Sequence, residues 1–484
     1  MSNIAQALAL GAQHQQAGEL ERARQIYHQV LQAEPGNTQA LHQLGMTAIE
    51  AGRPDDAIAW LRQAVALDPL NSVFHGRLGV ALVHASRWQD ARLAFERAIG
   101  CDPANCESQY NLGVALENLD MVDEAMAQYR HCLQACPPSA ATHNNLGNLL
   151  RARGKLDEAL VHLEQAVRLR PDFPEAHSNR GLVLLGQGRL AEGWSEYEWR
   201  LRWPKVRKVS YSEPFWDGTS TGDKVLLVYA EQGLGDTLQF IRYLPLVEER
   251  CPKLLVAIQP PLVPILAQSG FSGLVARRPP PPGFDLQISI LSLPGVFKTM
   301  LDDIPARVPY LHAREDLIAY WQRQLSGSAR LKVGIVWLGS PTYAEDRYRS
   351  IGLSWFTILA EVPGVQLYSL QKSRGREQLH MMDGRMSIID LGSRIDNEAG
   401  AFMDTAAIMK NLDLVITSDT ASAHLAGALG VPVWVALPLV PDWRWLMQGE
   451  ACPWYPTMRL FRQTKWGDWQ PVFERMAAEL RLMV

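Results

Sequence analysis

Glycine recurs every 34 residues through the N-terminal part of this 484-residue chain, at Gly11, Gly45, Gly79, Gly113, Gly147 and Gly181. Three further series keep the same period. Ala23, Ala57, Ala91, Ala125 and Ala159 are followed by Gly193; Pro35, Pro69, Pro103, Pro137 and Pro171 form the second. The third is large and apolar: Tyr27, Leu61, Phe95, Tyr129, Leu163 and Tyr197. One supersecondary unit repeated in tandem explains all four. Small residues let two helices of a repeat approach closely, and the large residue is expected to fill the gap to the next repeat. Proline ends the second helix because it cannot continue the hydrogen-bond ladder. Residues 1–207 hold six such repeats. The sixth decays, with Lys205 where proline is expected and Pro204 one position early.

A 34-residue period with this pattern resembles tetratricopeptide repeats, an all-α superhelix with a groove that takes polypeptide. Asn111, Asn145 and Asn179 stand two residues before the repeat glycines, where the earlier repeats carry Ala9, Gln43 and Arg77. An asparagine both donates and accepts, which suits an extended backbone whatever its side chains. The repeat region of the protein O-GlcNAc transferase has a similar asparagine ladder. The competing reading is that these residues tie neighbouring repeats together. Cys101, Cys106, Cys132 and Cys136 miss the C-x2-C spacing of zinc sites, and Cys132 takes the place of Ala64, Ala98 and Ala166, so a packed small side chain explains it.

Beyond a polar linker at 208–223 the pattern changes. Buried-strand runs at 224–230 (KVLLVYA), 254–259 and 285–290 alternate with helical spacing, as at 237–250. A second series begins at 331–337 (LKVGIVW) and continues at 365–370, 387–391, 414–418 and 431–437, with helices at 404–411 and 421–429. Strands alternating with helices predict parallel sheets covered on both faces. Two Rossmann-like lobes are expected, at 224–314 and 331–484 (the latter closing on a C-terminal helix), joined through 315–330.

Three motifs fall at predicted strand ends, where open α/β sheets bind ligands. EQGLGD at 231–236 puts Gly233 and Gly235 in a tight turn and Asp236 at a helix start; simple helix capping would also explain the aspartate. SDTASAHLAGALG at 418–430 sets Asp419, Thr420, Ser422 and His424 at a helix N-terminus, where free N–H groups favour phosphate. Ordinary capping, with His424 packed on the sheet, is the alternative. GSPTYAEDRYRS at 339–350 carries Arg347 and Arg349, which suit a diphosphate or a merely solvated loop.

Together these motifs resemble the lipopolysaccharide heptosyltransferases (glycosyltransferase family 9) and their tetratricopeptide-fused relatives, of the two-lobed GT-B type. The resemblance covers residues 211–470 and includes PDWRW, PWYP and RLFRQ downstream. It implies an acceptor-side first lobe and a nucleotide-sugar-side second lobe. It implies Asp236 as catalytic base, Gly233 and Gly235 at the donor, and Asp419, Thr420, Ser422 and His424 on the nucleotide diphosphate. A basic residue of the loop after the second lobe's first strand supports that diphosphate, here Arg347 or Arg349. The family often has a lysine in that loop and a glycine after the threonine; this chain has arginines and Ala421. The sugar and nucleotide stay open.

The implied chemistry is an inverting displacement, with the nucleotide-sugar as substrate and no cofactor. The chain contains no Asp-x-Asp, the usual metal signature of such enzymes, so no metal is expected. A net charge of −4 gives no electrostatic reason for nucleic acid. The apolar stretches are too short to span a bilayer. The first ten residues lack a secretory pattern, and six cysteines do not form a disulfide framework, so a reducing cytoplasm is expected. Trp443, Trp445, Trp454, Trp466 and Trp469 are expected to be buried between lobes rather than stacked on a base or sugar. Three functions fit: a protein glycosyltransferase whose repeats present the acceptor polypeptide, a surface-glycan glycosyltransferase whose repeats dock a partner, and an inactive scaffold.

Overall fold

The computed structural model describes residues 2–204, 211–277, 279, 281–327, 330–341, 346–372 and 374–484. The chain forms two compact units, Met1–Ala176 and His177–Val484. Lys205 lies outside the described residues, as do 342–345 of the arginine-bearing loop.

The first unit is all helical. Its helix pairs are Ser2–Gln16 with Leu20–Ala33, Thr38–Glu50 with Pro54–Leu67, Ser72–His84 with Trp88–Cys101, Cys106–Asn118 with Val122–Ala135, and Ala140–Ala152 with Leu156–Leu169. Side chains start the first helices. Asn37 accepts from Ala40 N, Asn71 from Val73 N, Asn105 from Ser108 N and Ser139 from Thr142 N, satisfying otherwise orphaned donors. The repeat prolines each stand two residues past a second helix. The periodic alanines are fully buried.

The large residue reaches the next repeat: Tyr27 shares a core with Ala40 and Leu44, and Tyr129 Oη accepts from Asn145. It also presses on the glycine of its own repeat. A Cβ on Gly11 would lie 2.5 Å from the Tyr27 ring, one on Gly79 2.4 Å from Phe95, and one on Gly113 2.3 Å from Tyr129. The glycine is therefore a socket for the second helix. A disulfide joins Cys106 to Cys136, with Cα atoms 5.7 Å apart, against the expectation that the cysteines form no disulfide framework. The first residue of one helix and the residue closing its partner meet at the open end of the hairpin.

The sixth repeat runs from the helix Pro174–Gly186, most of which belongs to the second unit, into Leu190–Tyr197 and the 3-10 turn Glu198–Arg202. Leu185, Leu190, Trp194 and Tyr197 belong to the apolar core of the α/β region. Trp194 donates to Thr299 O at 2.8 Å. This packing explains why the repeat pattern decays here: the last helix answers to a sheet protein. The polar segment after it also packs. Trp216 N donates to Gln287 O, and Gln287 N donates to Pro214 O.

Two all-parallel sheets follow among the described residues. The first contains β1 (Leu226–Tyr229), β2 (Leu254–Ile258), β3 (Leu274–Ala276) and β4 (Leu286–Ser289), in the order β3-β2-β1-β4. The second contains β5 (Leu331–Val336), β6 (Val365–Ser369), β7 (Ile388–Asp390), β8 (Leu414–Ser418), β9 (Val433–Leu437) and β10 (Met458–Arg462), in the order β10-β9-β8-β5-β6-β7. The chain reverses its direction of travel across the first sheet between β1 and β4, and across the second between β5 and β8. One apolar cluster runs through both sheets; a second lies under the other face of the second sheet with the C-terminal helix Gln470–Met483. Trp443, Trp445 and Trp454 are buried in the shared cluster, Trp469 in the second, and Trp466 is partly exposed beside Tyr348.

Candidate functional site

The glycine loop follows β1 and leads into the helix Leu234–Phe240. Asp236 is the third helical residue, and its Oδ2 accepts from Gly233 N at 2.7 Å, so it does cap the turn. Its other oxygen faces the second lobe and accepts from Arg444. Arg444 is only 6% exposed. It also donates to Gln239 Oε1 and Asp442 Oδ1, both at 2.8 Å, and stacks 4.5 Å over Trp443.

The expected cleft narrows to contact at this point. A Cβ on Gly235 would lie 2.9 Å from His424 Cδ2 and 3.4 Å from Ala421 Cα. Gly235 thus serves a close approach between the two motif loops. His424 is 4% exposed, stacks on Trp445 at 5.2 Å and shares a 3.1 Å hydrogen bond from Nδ1 to the Tyr455 hydroxyl. Burial, with the charges of Arg444, Arg242 and Arg349, pushes its pKa well below the ordinary value and keeps it neutral.

The helix Ala421–Ala428 follows β8. Thr420 precedes it in extended conformation but does not cap it; its hydroxyl is within 3.1 Å of Thr417 Oγ1. Ser422 stands half-exposed in the first turn. Asp419 is pushed up to about 6 by burial and then by the Asp442 charge, against the opposing charges of Arg349 and Arg444. Of the two candidate arginines, Arg349 is mostly buried and its charge acts on both Asp419 and His424. Arg347 is exposed and donates to Tyr348 Oη at 2.6 Å. Three buried polar atoms without a hydrogen-bond partner among the described residues lie on or after strands of the second sheet, Trp337 Nε1 after β5, Ser369 Oγ on β6 and Gln463 Nε2 after β10, and others are scattered from His42 to Thr457.

The asparagine series is less uniform than its spacing. Asn145 donates to Tyr110 Oη at 3.2 Å and Tyr129 Oη at 3.1 Å, tying one repeat to the preceding one. Asn111 is half-exposed, and Asn179, in the second unit, is 5% exposed.

Comparison with known proteins bears on the repeats. Tetratricopeptide repeat models match residues 14–79 and 77–140, and a TPR repeat model matches 147–188. Those segments are tetratricopeptide repeats. The chain is similar to Protein FlbA of Caulobacter vibrioides, 27% identical over 60% of this chain and 52% of that one. It therefore spans about half the length of this curated relative. Similar solved structures include YrrB, described as a TPR protein with an unusual peptide-binding site (23% identity, TM-score 0.32, 35% of this chain and 88% of that one). Another is a thermophilic TPR protein of Thermus thermophilus (22% identity, TM-score 0.32, 38% and 99%). A third is pilF of Pseudomonas aeruginosa (16% identity, TM-score 0.38, 43% and 93%).

The sixth tetratricopeptide unit supplies residues to the glycine loop that the motif reading missed. Arg200, 1% exposed, donates to Glu231 Oε1 at 2.7 Å, Glu198 Oε1 at 2.6 Å and Ser292 Oγ at 2.8 Å. Gln232 Nε2 donates to Tyr197 Oη at 3.1 Å. Arg444 and Tyr455 were also missed as site residues, though they lie in PDWRW and PWYP. The tryptophans and prolines of those segments read as packing, and an arginine among them was the available signal. No helix of the described residues is long and apolar enough to cross a membrane.

Proposed function

We propose that this chain is an inverting glycosyltransferase of the GT-B type, taking a nucleotide-sugar donor and a hydroxyl acceptor. What carries the reading is the position of the motifs at the two places where strand order reverses. EQGLGD follows β1 in the first sheet; the Arg349 loop and SDTASAH follow β5 and β8 in the second. Ligands of open α/β sheets bind at such crevices. An uncapped helix N-terminus beside Arg349 suits a diphosphate.

In this reading Asp236 takes the acceptor's hydroxyl proton as that oxygen bonds to the anomeric carbon. The bond from that carbon to the diphosphate breaks with its electron pair on the leaving oxygen, and the centre inverts. The first-turn amides of Ala421–Ala428, with Arg349 and His424, stabilise the charge that builds there. Arg444 holds the Asp236 carboxylate toward the second lobe. The role needs no metal.

The repeats present a polypeptide, either as the acceptor or as a docked partner. The commitment of Asn145 to Tyr110 and Tyr129 favours docking over a backbone ladder through all three asparagines. The test is thermal unfolding of the full chain with nucleoside diphosphates, followed by donor turnover with nucleotide-sugars. A ligand that binds only the folded state raises the melting temperature. Stabilisation by a diphosphate and slow donor hydrolysis support the enzyme. No response to any nucleotide and no turnover would return the chain to the scaffold reading.

A further inference from the structure

His424 is the one imidazole in the α/β site, and its surroundings specify more than its burial. Its Nδ1 is 3.1 Å from the Tyr455 hydroxyl. The opposite edge faces the glycine loop: Nε2 is 3.5 Å and Cδ2 2.9 Å from where a Gly235 Cβ would stand. Nε2 has no hydrogen-bond partner among the described residues. The ring plane is held by Trp445. Tyr455 is itself fixed: a Cβ on Gly427 would fall 2.5 Å from its ring, so this glycine makes the space it occupies.

The direction of the Tyr455 proton follows from its neighbours. Tyr310 donates its only proton to Leu238 O at 2.8 Å. The Tyr310 oxygen in turn receives a proton from Arg242 Nη2 at 2.9 Å. Arg242 is buried and otherwise spends its donors on the carbonyls of Gln239, Pro305 and Trp454. Tyr455 lies 3.4 Å from the already occupied Tyr310 oxygen and 3.1 Å from His424 Nδ1. The better acceptor for its proton is the imidazole nitrogen.

We infer that Tyr455 is a positioning residue: it donates to His424 Nδ1, fixes the tautomer that carries its proton on Nε2, and so turns His424 into a neutral hydrogen-bond donor aimed at the glycine loop. A donor aimed there serves an anionic oxygen, and the ligand class is a nucleoside diphosphate or the same group in a nucleotide-sugar. The inference rests on the glycosyltransferase reading for its ligand and on geometry alone for its tautomer. Imidazole nitrogens are distinct, and the bond made by one sets the proton on the other.

The experiment uses the full chain labelled with 15N-histidine. Long-range proton–nitrogen spectra distinguish protonated from unprotonated ring nitrogens, and His424 is assigned by the signals lost in His424→Asn. The expected pattern is an unprotonated Nδ1 and a protonated Nε2; a protonated Nδ1 overturns the proposal. In Tyr455→Phe, which keeps the ring, the tautomers are expected to mix. Binding of ADP, UDP or GDP, whichever the wild type takes, is expected to weaken about tenfold, with the matching nucleoside unchanged, as for one lost charge-assisted hydrogen bond. Retention of pure Nε2–H and full diphosphate affinity in Tyr455→Phe overturns it. Failure of the wild type to bind any of the three diphosphates overturns the transferase reading instead, while the spectrum of the wild type still decides the tautomer.

Discussion

Arg444 and Asp236 stand 208 residues apart in sequence and share an ion pair that joins the second lobe to the glycine loop of the first. The same guanidinium holds Asp442 and Gln239, so one buried side chain organises two carboxylates and an amide. Breaking a buried pair costs more than the pair contributes, because the partners are left in low dielectric without their counter-charge.

Arg444→Met is therefore expected to destabilise the second unit by about 3 kcal/mol, at the lower end for buried pairs because Asp236 keeps some contact with solvent. Arg444→Lys keeps the charge but loses the fork that serves three acceptors, and is expected to recover only part of the loss. Tryptophan fluorescence during denaturation reads this, since Trp443 and Trp445 flank the site. An unchanged transition in Arg444→Met would remove the ion pair from the account.

Asp236→Asn separates structure from chemistry. Asparagine keeps one oxygen for Gly233 N or Arg444 but presents an amide to the other. A loss of about 1–3 kcal/mol in stability is expected, alongside a drop in transfer rate of about 100-fold or more. The decisive comparison is nucleoside diphosphate affinity, which should hold. Turnover close to wild type would exclude Asp236 as the base.

Much of this was legible in the sequence because it is written in short range. The 34-residue series sets the helix pairs, and continuous apolar runs mark seven of the ten strands of the described residues within a few positions; the eighth, 431–437, begins two residues early because Pro432 cannot extend a strand. The missing strands, β3 and β10, are an edge of three residues and a run with two arginines, MRLFR, which lacks the apolar signature. Glycine was legible as close approach but not its object: nothing local says that Gly235 meets His424. Arg444, Arg200 and Tyr455 act across 208, 31 and 31 residues, and no periodicity reports such distances. The asparagine series shows the converse. Equal spacing placed Asn111, Asn145 and Asn179 at equivalent positions, yet the local tyrosines decide what each one does.

Gly235→Ala tests the contact between the loops. The added methyl would meet His424 Cδ2 at 2.9 Å, closer than van der Waals packing tolerates. Overpacking of this kind costs about 1–3 kcal/mol. In a His424→Ala background the obstacle is gone, and the cost of Gly235→Ala should fall below about 0.5 kcal/mol, the usual scatter for uncoupled sites. Equal costs in both backgrounds would mean that the loops are not in contact in solution.

Asp419 gives a pH signature with a defined sign. Its folded pKa, about 6, lies above the ordinary carboxylate value, so between roughly pH 4 and 6 the folded chain holds a proton that the unfolded chain has lost. Its stabilising contribution is present below that window and is lost as pH rises through it, by at most about 3 kcal/mol. His28, His42, His143, His162 and His424, whose pKa is lowered chiefly by desolvation, act in the opposite direction near neutrality. The measurement is thus the difference between wild type and Asp419→Asn from pH 4.5 to 7, about the range in which Asp419 changes charge. The wild type should lose stability relative to the variant as pH rises. A difference that is flat with pH would place Asp419 in contact with bulk solvent.

The repeat groove is best probed one asparagine at a time. Asn145→Ala removes the amide that serves the hydroxyls of both Tyr110 and Tyr129, and both phenols are held above their ordinary pKa chiefly by burial. Leaving such groups short of a partner costs about 1–3 kcal/mol, so this variant is expected to lower the melting temperature of the repeats. A triple alanine variant would therefore confuse lost binding with lost structure. Asn111→Ala carries less of that burden, because Asn111 is half-exposed and makes no side-chain hydrogen bond among the described residues. If a polypeptide lies along the groove, Asn111→Ala should leave the circular dichroism melt unchanged and weaken peptide binding several-fold, about the worth of one net hydrogen bond. Unchanged peptide affinity in Asn111→Ala, with a lowered melt in Asn145→Ala, would show that the series ties repeats together and that any partner docks elsewhere on the array.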